Sequence, residues 1–339
     1  IEEVARLYGV DRIPATAPRG AVGANAYDSV HDQLAEARRL LTGLGLNESQ
    51  GQTLISEPAA RLATGGSLVP LGNPLSSDMN VLRPSLVPGL LDALRHNLSH
   101  KNYDAALFEV GRVFLPMASG GKSGETPEER RMAIALTGSR HPGFWSGEDR
   151  EARFDIYDLK GILEEFLEDF GLRGIGYSRR NETTGLFLES GTIHLGKFTI
   201  GEFGQLLPTL AKQYDLRDAV FLAELNLDLL LARRNTSKGF KPLPPYPAIR
   251  RDVAMLVADS ITHEAVLQAV KQAKAPNLES VELFDVFRGK NVPPNHKSMA
   301  YAFVYRSPER TLTDAEANSA HEKVVSRLKE KLEATVRDS

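Results

Sequence analysis

The sequence predicts an α+β protein, in which an antiparallel sheet with flanking helices is followed by a smaller βαββαβ unit. Three observations carry this. Strand-like runs at 105–115, 132–138, 197–206 and 220–230 show no steady alternation with helices, which favours an antiparallel sheet over a doubly wound parallel one. Helices of clear amphipathic period stand among them. Four prolines within residues 238–247 (KGFKPLPPYP) then forbid regular structure, and beyond them the pattern restarts in a new order.

Residues 14–27, PATAPRGAVGANAY, have no periodicity and mark a first break. Val30, Leu34, Ala37, Leu41 and Leu44 then recur at helical spacing, with Gly43 and Gly45 placed to stop the helix. Ser85 is expected to cap a helix through Leu90, Leu91, Leu94 and Leu98, with Pro88 in its first turn. AALFEVGRVFL at 105–115 and MAIALTG at 132–138 are strands, separated by a surface loop at 118–130. Leu159, Ile162, Leu163, Phe166 and Phe170 form an apolar helical stripe closed by Gly171. KFTIGEFGQL at 197–206 and VFLAELNLDLL at 220–230 complete the first set of strands.

After the prolines, DVAMLVA at 252–258 reads as a strand, and Thr262 caps a helix carrying Val266, Leu267 and Val270. SVELFDVFRG at 280–289 and SMAYAFVYR at 298–306 are paired strands. Thr313 with Glu316 is a capping box for a long helix through Val324, Leu328 and Leu332, and a short strand is expected at 334–337. This order, βαββαβ, is ferredoxin-like. The predicted divisions are 1–20, 27–237 and 245–339.

A chain of 339 residues is too long for one small core. No apolar run approaches the ~20 residues of a membrane span. The absence of Cys excludes disulfides, thiolate metal sites and cysteine nucleophiles, and fits a reducing, cytoplasmic location. The chain starts at Ile1 without a signal peptide and reads as part of a longer protein. Net charge is −3, but unevenly spread. Residues 1–238 hold 26 Lys+Arg against 31 Asp+Glu, and residues 239–339 hold 15 against 13.

Motifs of catalysis are missing. There is no GxxxxGK[ST], no GxGxxG after a strand, no HExxH and no GxSxG, and the eight histidines are scattered. Glu2 and Glu3 are adjacent carboxylates, but neighbours on a helix diverge by about 100° and do not clamp one ion unaided. The positive groups of the last hundred residues are more suggestive. Val286 to Pro308 contains no acidic residue but does contain Arg288, Lys290, Lys297 and Arg306. In a βαββαβ fold, Arg250, Arg251, Arg306 and Arg310 gather at one end of the sheet, and Arg288, Lys290 and Lys297 at the other. Such cations can hold phosphates, or they can be solvated strand ends. Tyr301, Phe303 and Tyr305 alternate onto one face and are expected in the core, because Ala300, Ala302 and Val304 opposite are too small to cover two helices.

Several stretches together resemble the β subunit of bacterial phenylalanyl-tRNA synthetase, in its C-terminal portion. They are IEEVARLYGVDRIP at 1–14, NPLSSDMNVLRPSLVPGLLDALRHNL at 73–98, ALFEVGRVF at 106–114, YPAIRRDVAMLV at 246–257, LFDVFRGKNVP at 283–293 and RTLTDAEANSAHEKVVSRL at 310–328. The resemblance implies an (αβ)₂ heterotetramer whose α subunit uses ATP to activate phenylalanine and transfers it to tRNA(Phe). It implies that residues 1–20 end an upstream domain. Residues 27–237 would then form a catalytically silent module of class II aminoacyl-tRNA synthetase fold, and residues 245–339 an anticodon-binding domain. It also implies Mg²⁺ ligation by an adjacent Glu pair matching Glu2 and Glu3, with the remaining ligands upstream. The Gly-rich, arginine-ended motif that holds ATP in class II catalysis is missing; HLGKFTIGEFGQ at 194–205 has glycines but no arginine. Three readings stand: a non-catalytic assembly and tRNA-binding portion of this ligase, an autonomous class II-like enzyme with a divergent site, or a stand-alone RNA-binding regulator.

Overall fold

The computed structural model describes residues 1–16, 28–116, 126–141, 143, 145–147, 151–235, 242–290 and 292–336. Most of the break at 14–27, residues 118–125 of the predicted surface loop, Lys238 to Lys241 of the proline-rich stretch and Arg337 lie outside them. The chain divides into two compact units, Ile1–Ser237 and Lys238–Ser339.

The first unit runs α1 (Glu2–Tyr8), α2 (Ser29–Gly43), β1 (Asn47–Glu48), β2 (Leu54–Ile55), α3 (Glu57–Ala63), β3 (Val69–Pro70), β4 (Val81–Leu82) and α4 (Val87–Ser99). It continues with β5 (Ala105–Phe114), β6 (Glu128–Thr137), α5 (Ile156–Asp169), β7 (Ile175–Arg179), β8 (Phe187–Leu195), β9 (Phe198–Leu206), α6 (Pro208–Gln213), β10 (Val220–Asn226) and α7 (Leu227–Arg233). Its main sheet has the order β1-β5-β6-β10-β9-β8-β7 and is antiparallel except for the β1–β5 pair.

Both faces of that sheet are packed by the unit's own helices. On β6, Met132, Ile134 and Leu136 point one way and Ala133 and Ala135 the other, and all are fully buried. The first set meets Leu41 of α2 and Leu159, Leu163 and Phe166 of α5. The second meets Leu90, Leu91 and Leu94 of α4. Strand period two and helix period 3.6 therefore build a three-layer core with little room between layers.

Local chemistry explains where the elements stop, and where the expectations were off. VFLAELNLDLL is a strand only to Asn226; the Asn226 side chain accepts from Leu229 N at 2.9 Å and starts α7. An unbroken apolar run does not announce that switch. Ser85 lies one residue before the N-cap Leu86 rather than at it, but its Oγ accepts from Val87 N at 3.1 Å and so still helps start α4. The buried start of α4 is also met from afar: Glu224 on β10 accepts from Leu86 N at 2.6 Å and from Ser85 Oγ at 2.9 Å, while Arg131 holds its other oxygen at 2.7 Å. Strands β7 and β8 were not anticipated, and β6 begins four residues earlier than its apolar run.

The second unit runs β11 (Ile249–Ala258), α8 (His263–Ala273), β12 (Leu278–Phe287), β13 (His296–Tyr305), α9 (Asp314–Leu332) and β14 (Thr335–Val336). Sheet order β12-β13-β11-β14 is the expected ferredoxin-like arrangement. Thr262 caps α8, and the Thr313–Glu316 box caps α9. Tyr301, Phe303 and Tyr305 are fully buried with Val266, Val270, Val324 and Leu328, so they are core. Among the described residues, no helix is long and apolar enough to cross a membrane.

Candidate nucleic-acid interface

The helices of the second unit cover one face of its sheet, and the residues of the other face are set by register. β13 offers Ser298, Ala300, Ala302 and Val304; β11 offers Arg250, Asp252, Ala254 and Leu256 opposite them. β12 adds Ser280, Glu282, Asp285 and Phe287. A register shift between Leu283 and Asp285 turns Phe284 out of the core, and the Arg250 guanidinium lies 5.6 Å from its ring. The middle of this face is short and buried, with Ala302 only 1% exposed. Its flanks are accessible: Phe284 and Phe287 are 49% and 47% exposed. The result is a low floor of small side chains bordered by aromatic rings, a guanidinium and carboxylates. Flat rings can stack on such borders, and carboxylates can accept from base amino groups.

The seven predicted cations take the two ends foreseen for them, and six of the seven bond to groups of their own unit. Arg250 Nε donates to Asp252 Oδ1 at 2.8 Å. Arg251 holds Asp314 at 2.5 Å and Asn318 at 2.9 Å. Arg306 bonds Glu279 at 2.8 Å and the Tyr246 carbonyl at 3.1 Å, fixing the chain as it leaves the prolines. Arg310 pairs with Glu316, and this contact, followed by the bonds from Thr313, holds the Glu316 carboxyl at about 2. At the other end Arg288 reaches Asp259 at 3.2 Å. Lys297 is buried and donates to the Asp259 carbonyl at 3.1 Å; burial first, then Arg288, lowers its pKa. Lys290 is exposed.

Phe284, Phe287 and Asp252 were not among the sequence candidates. The strand alternation that places Tyr301 inside would have placed Asp252 outside, but nothing in the sequence signals the bulge that exposes Phe284.

Glu2 and Glu3 sit in the first turn of α1, both exposed. Glu3 is bonded to Arg6 at 2.6 Å. Among the described residues, no group of three or more His, Asp or Glu side chains could hold a metal ion. An adjacent pair with one member already engaged does not by itself supply the octahedral oxygen set Mg²⁺ needs.

A family model described as the phenylalanyl tRNA synthetase beta chain CLM domain matches residues 13–227. A second, the ferredoxin-fold anticodon binding domain, matches 244–337. The phenylalanine–tRNA ligase beta subunit of Geobacillus kaustophilus is 36% identical over 340 residues, covering 99% of this chain and 42% of that protein. Its counterpart in Lactiplantibacillus plantarum is 33% identical over 341 residues, with the same 99% and 42% coverage. A solved pyrrolysyl-tRNA synthetase of Desulfitobacterium hafniense aligns over 72% of this chain and 78% of that one, with TM-score 0.47 and 16% identity.

Fold and matches together define a protein of the aminoacyl-tRNA synthetase class, whose second unit is an anticodon-binding ferredoxin fold. The chain belongs to the phenylalanyl-tRNA synthetase beta-chain family, and it spans 42% of the length of the relatives named above.

Proposed function

We propose that this chain is the C-terminal, non-catalytic part of the β subunit of phenylalanine–tRNA ligase, and that it supports assembly with the α subunit and grips the anticodon region of tRNA(Phe). The observation that carries the tRNA role is the uncovered sheet face of the second unit, with Phe284, Phe287 and Arg250 accessible on its flanks, in a domain matching an anticodon-binding family. The scaffold role is supported by the polar groups of the first unit's main sheet, which are engaged by the unit's own side chains: Glu109 by Arg83, Glu224 by Arg131 and Ser85, and Glu202 by Arg180.

On this reading the ligase is an (αβ)₂ heterotetramer working in the cytoplasm. The α subunit binds ATP and Mg²⁺ at the site of activation, and this chain contributes binding surface. Any Mg²⁺ at Glu2 and Glu3 would need oxygens from beyond these two side chains. Arg250 supplies one phosphate contact once RNA displaces Asp252. Arg288, Lys290, Lys297, Arg306 and Arg310 set the surrounding potential.

The test is the salt dependence of tRNA binding by the assembled ligase. Arg250→Ala is expected to weaken binding and to reduce the slope of log K against log salt by about one. An unchanged slope and affinity would reject Arg250 as a contact.

A further inference from the structure

Arg250 and Arg251 are consecutive, yet they face opposite sides of β11. Arg250 pairs in register with Val304 on the open face, and its side chain is 56% exposed. Arg251 pairs with Phe303 on the helix side, and its side chain is 29% exposed. Its fork is spent on its own chain. Nη2 reaches Asp314 Oδ1 at 2.5 Å and Nε reaches Asn318 Oδ1 at 2.9 Å, both on α9. Nη1 donates to the carbonyl oxygen of Arg250 itself at 3.1 Å. One side chain thus ties the strand to the long helix and fixes the peptide from which the neighbouring arginine projects.

We propose that Arg251 is a positioning residue for RNA binding: it locks β11 to α9 and holds the Arg250 peptide so that Arg250 is presented on the open face, and it touches no phosphate. This rests on the reading of that face as an RNA surface. Three donors in one plane satisfy three acceptors in different directions, which an ammonium on a flexible stem does not reproduce. A phosphate contact would show the opposite preference, because a lysine keeps the charge.

The experiment measures tRNA affinity across a salt series with the full-length ligase carrying R250A, R251A, R251K, D314A and the doubles of R251A and D314A with R250A. Arg251→Ala and Arg251→Lys are each expected to weaken binding about threefold or more, and the R250A/R251A double to match R250A alone in affinity and slope. Asp314→Ala is the sharper probe. It removes a negative charge from an RNA-binding domain, so bulk electrostatics alone would tighten binding. Loss of the Arg251 anchor instead weakens it, and that loss vanishes in the R250A background. Asp314 is 82% exposed, so its removal leaves the packed core untouched. Tighter binding by D314A, full retention by R251K, or a double mutant whose slope falls by about two would overturn the proposal. If R250A changes neither affinity nor slope, the open-face reading fails first; additive effects with a functional Arg250 sink only the positioning role.

Discussion

At the scale of single residues, the first unit is organised around charges taken out of water. Arg83 and Glu109 bond at 2.6 Å with their side chains 8% and 2% exposed. Arg83 also donates to the Arg112 carbonyl at 2.8 Å, so the guanidinium joins the segment before α4 to the middle and end of β5. Gly51 and Gly89 make room for the pair: a Cβ at Gly51 would stand 3.1 Å from Glu109 Oε2 and 3.2 Å from the Gly89 Cα. Buried pairs of this kind add modest net stability when intact and are costly to break, because removal of one partner strands the other charge. Arg83→Ala is therefore expected to lower the stability of the unit by about 3–5 kcal/mol, read from its denaturant midpoint. Replacing both partners by apolar residues of similar volume should recover a large part of that loss.

At the scale of elements, α9 illustrates how sequence-local and distant interactions share one helix. Its start is local: Thr313 and Glu316 satisfy each other's backbone donors within four residues. Its seat on the sheet is not. His321 Nδ1 meets Tyr305 Oη at 3.0 Å, and its ring packs edge-on against Phe303 at 5.3 Å. Burial first, then the nearby Arg251, lowers the His321 pKa, with Glu322 opposing. A histidine lowered in the folded state is neutral there and takes up its proton on unfolding. The stability it contributes is thus fully present above the ordinary value of 6.5 and is lost as pH falls below it. Denaturation at pH 7.5 and 5.5 should show a weaker second unit at the lower pH, and His321→Gln should flatten that difference. The caps of α8 and α9, the alternation on β13 and the βαββαβ order were all legible in the sequence because each is written within a few neighbouring residues. The capping of α4 by Glu224 was not, since its partners lie 138 and 139 positions apart. The end of β10 was also hidden, because an apolar run serves a buried strand and a helix start equally well. Of the candidate site, the two clusters of cations could be read from topology, but which arginine faces outward depended on register and on a bulge.

At the scale of the whole chain, the two units differ in charge and in how their sheets are covered. The first is acidic overall, packs apolar side chains against both faces of its main sheet, and pairs carboxylates of that sheet with the unit's own arginines. The second has a small positive excess and leaves one sheet face uncovered within its own unit. The purified chain is expected to show no phenylalanine-dependent ATP–pyrophosphate exchange, and exchange should appear on reconstitution of the full ligase with its α subunit. Robust exchange by the chain alone would instead favour an autonomous enzyme. The leashing of Arg250, Arg251, Arg288, Arg306 and Arg310 to carboxylates has its own outcome. A polyanion that seeks these five arginines must evict a resident acid at each of them, although lysines such as Lys271, Lys274, Lys290, Lys323, Lys329 and Lys331 stay exposed elsewhere on the unit. At these arginines shape has to fit before charge is released, so heparin and random RNA should displace a correctly folded anticodon arm from them poorly.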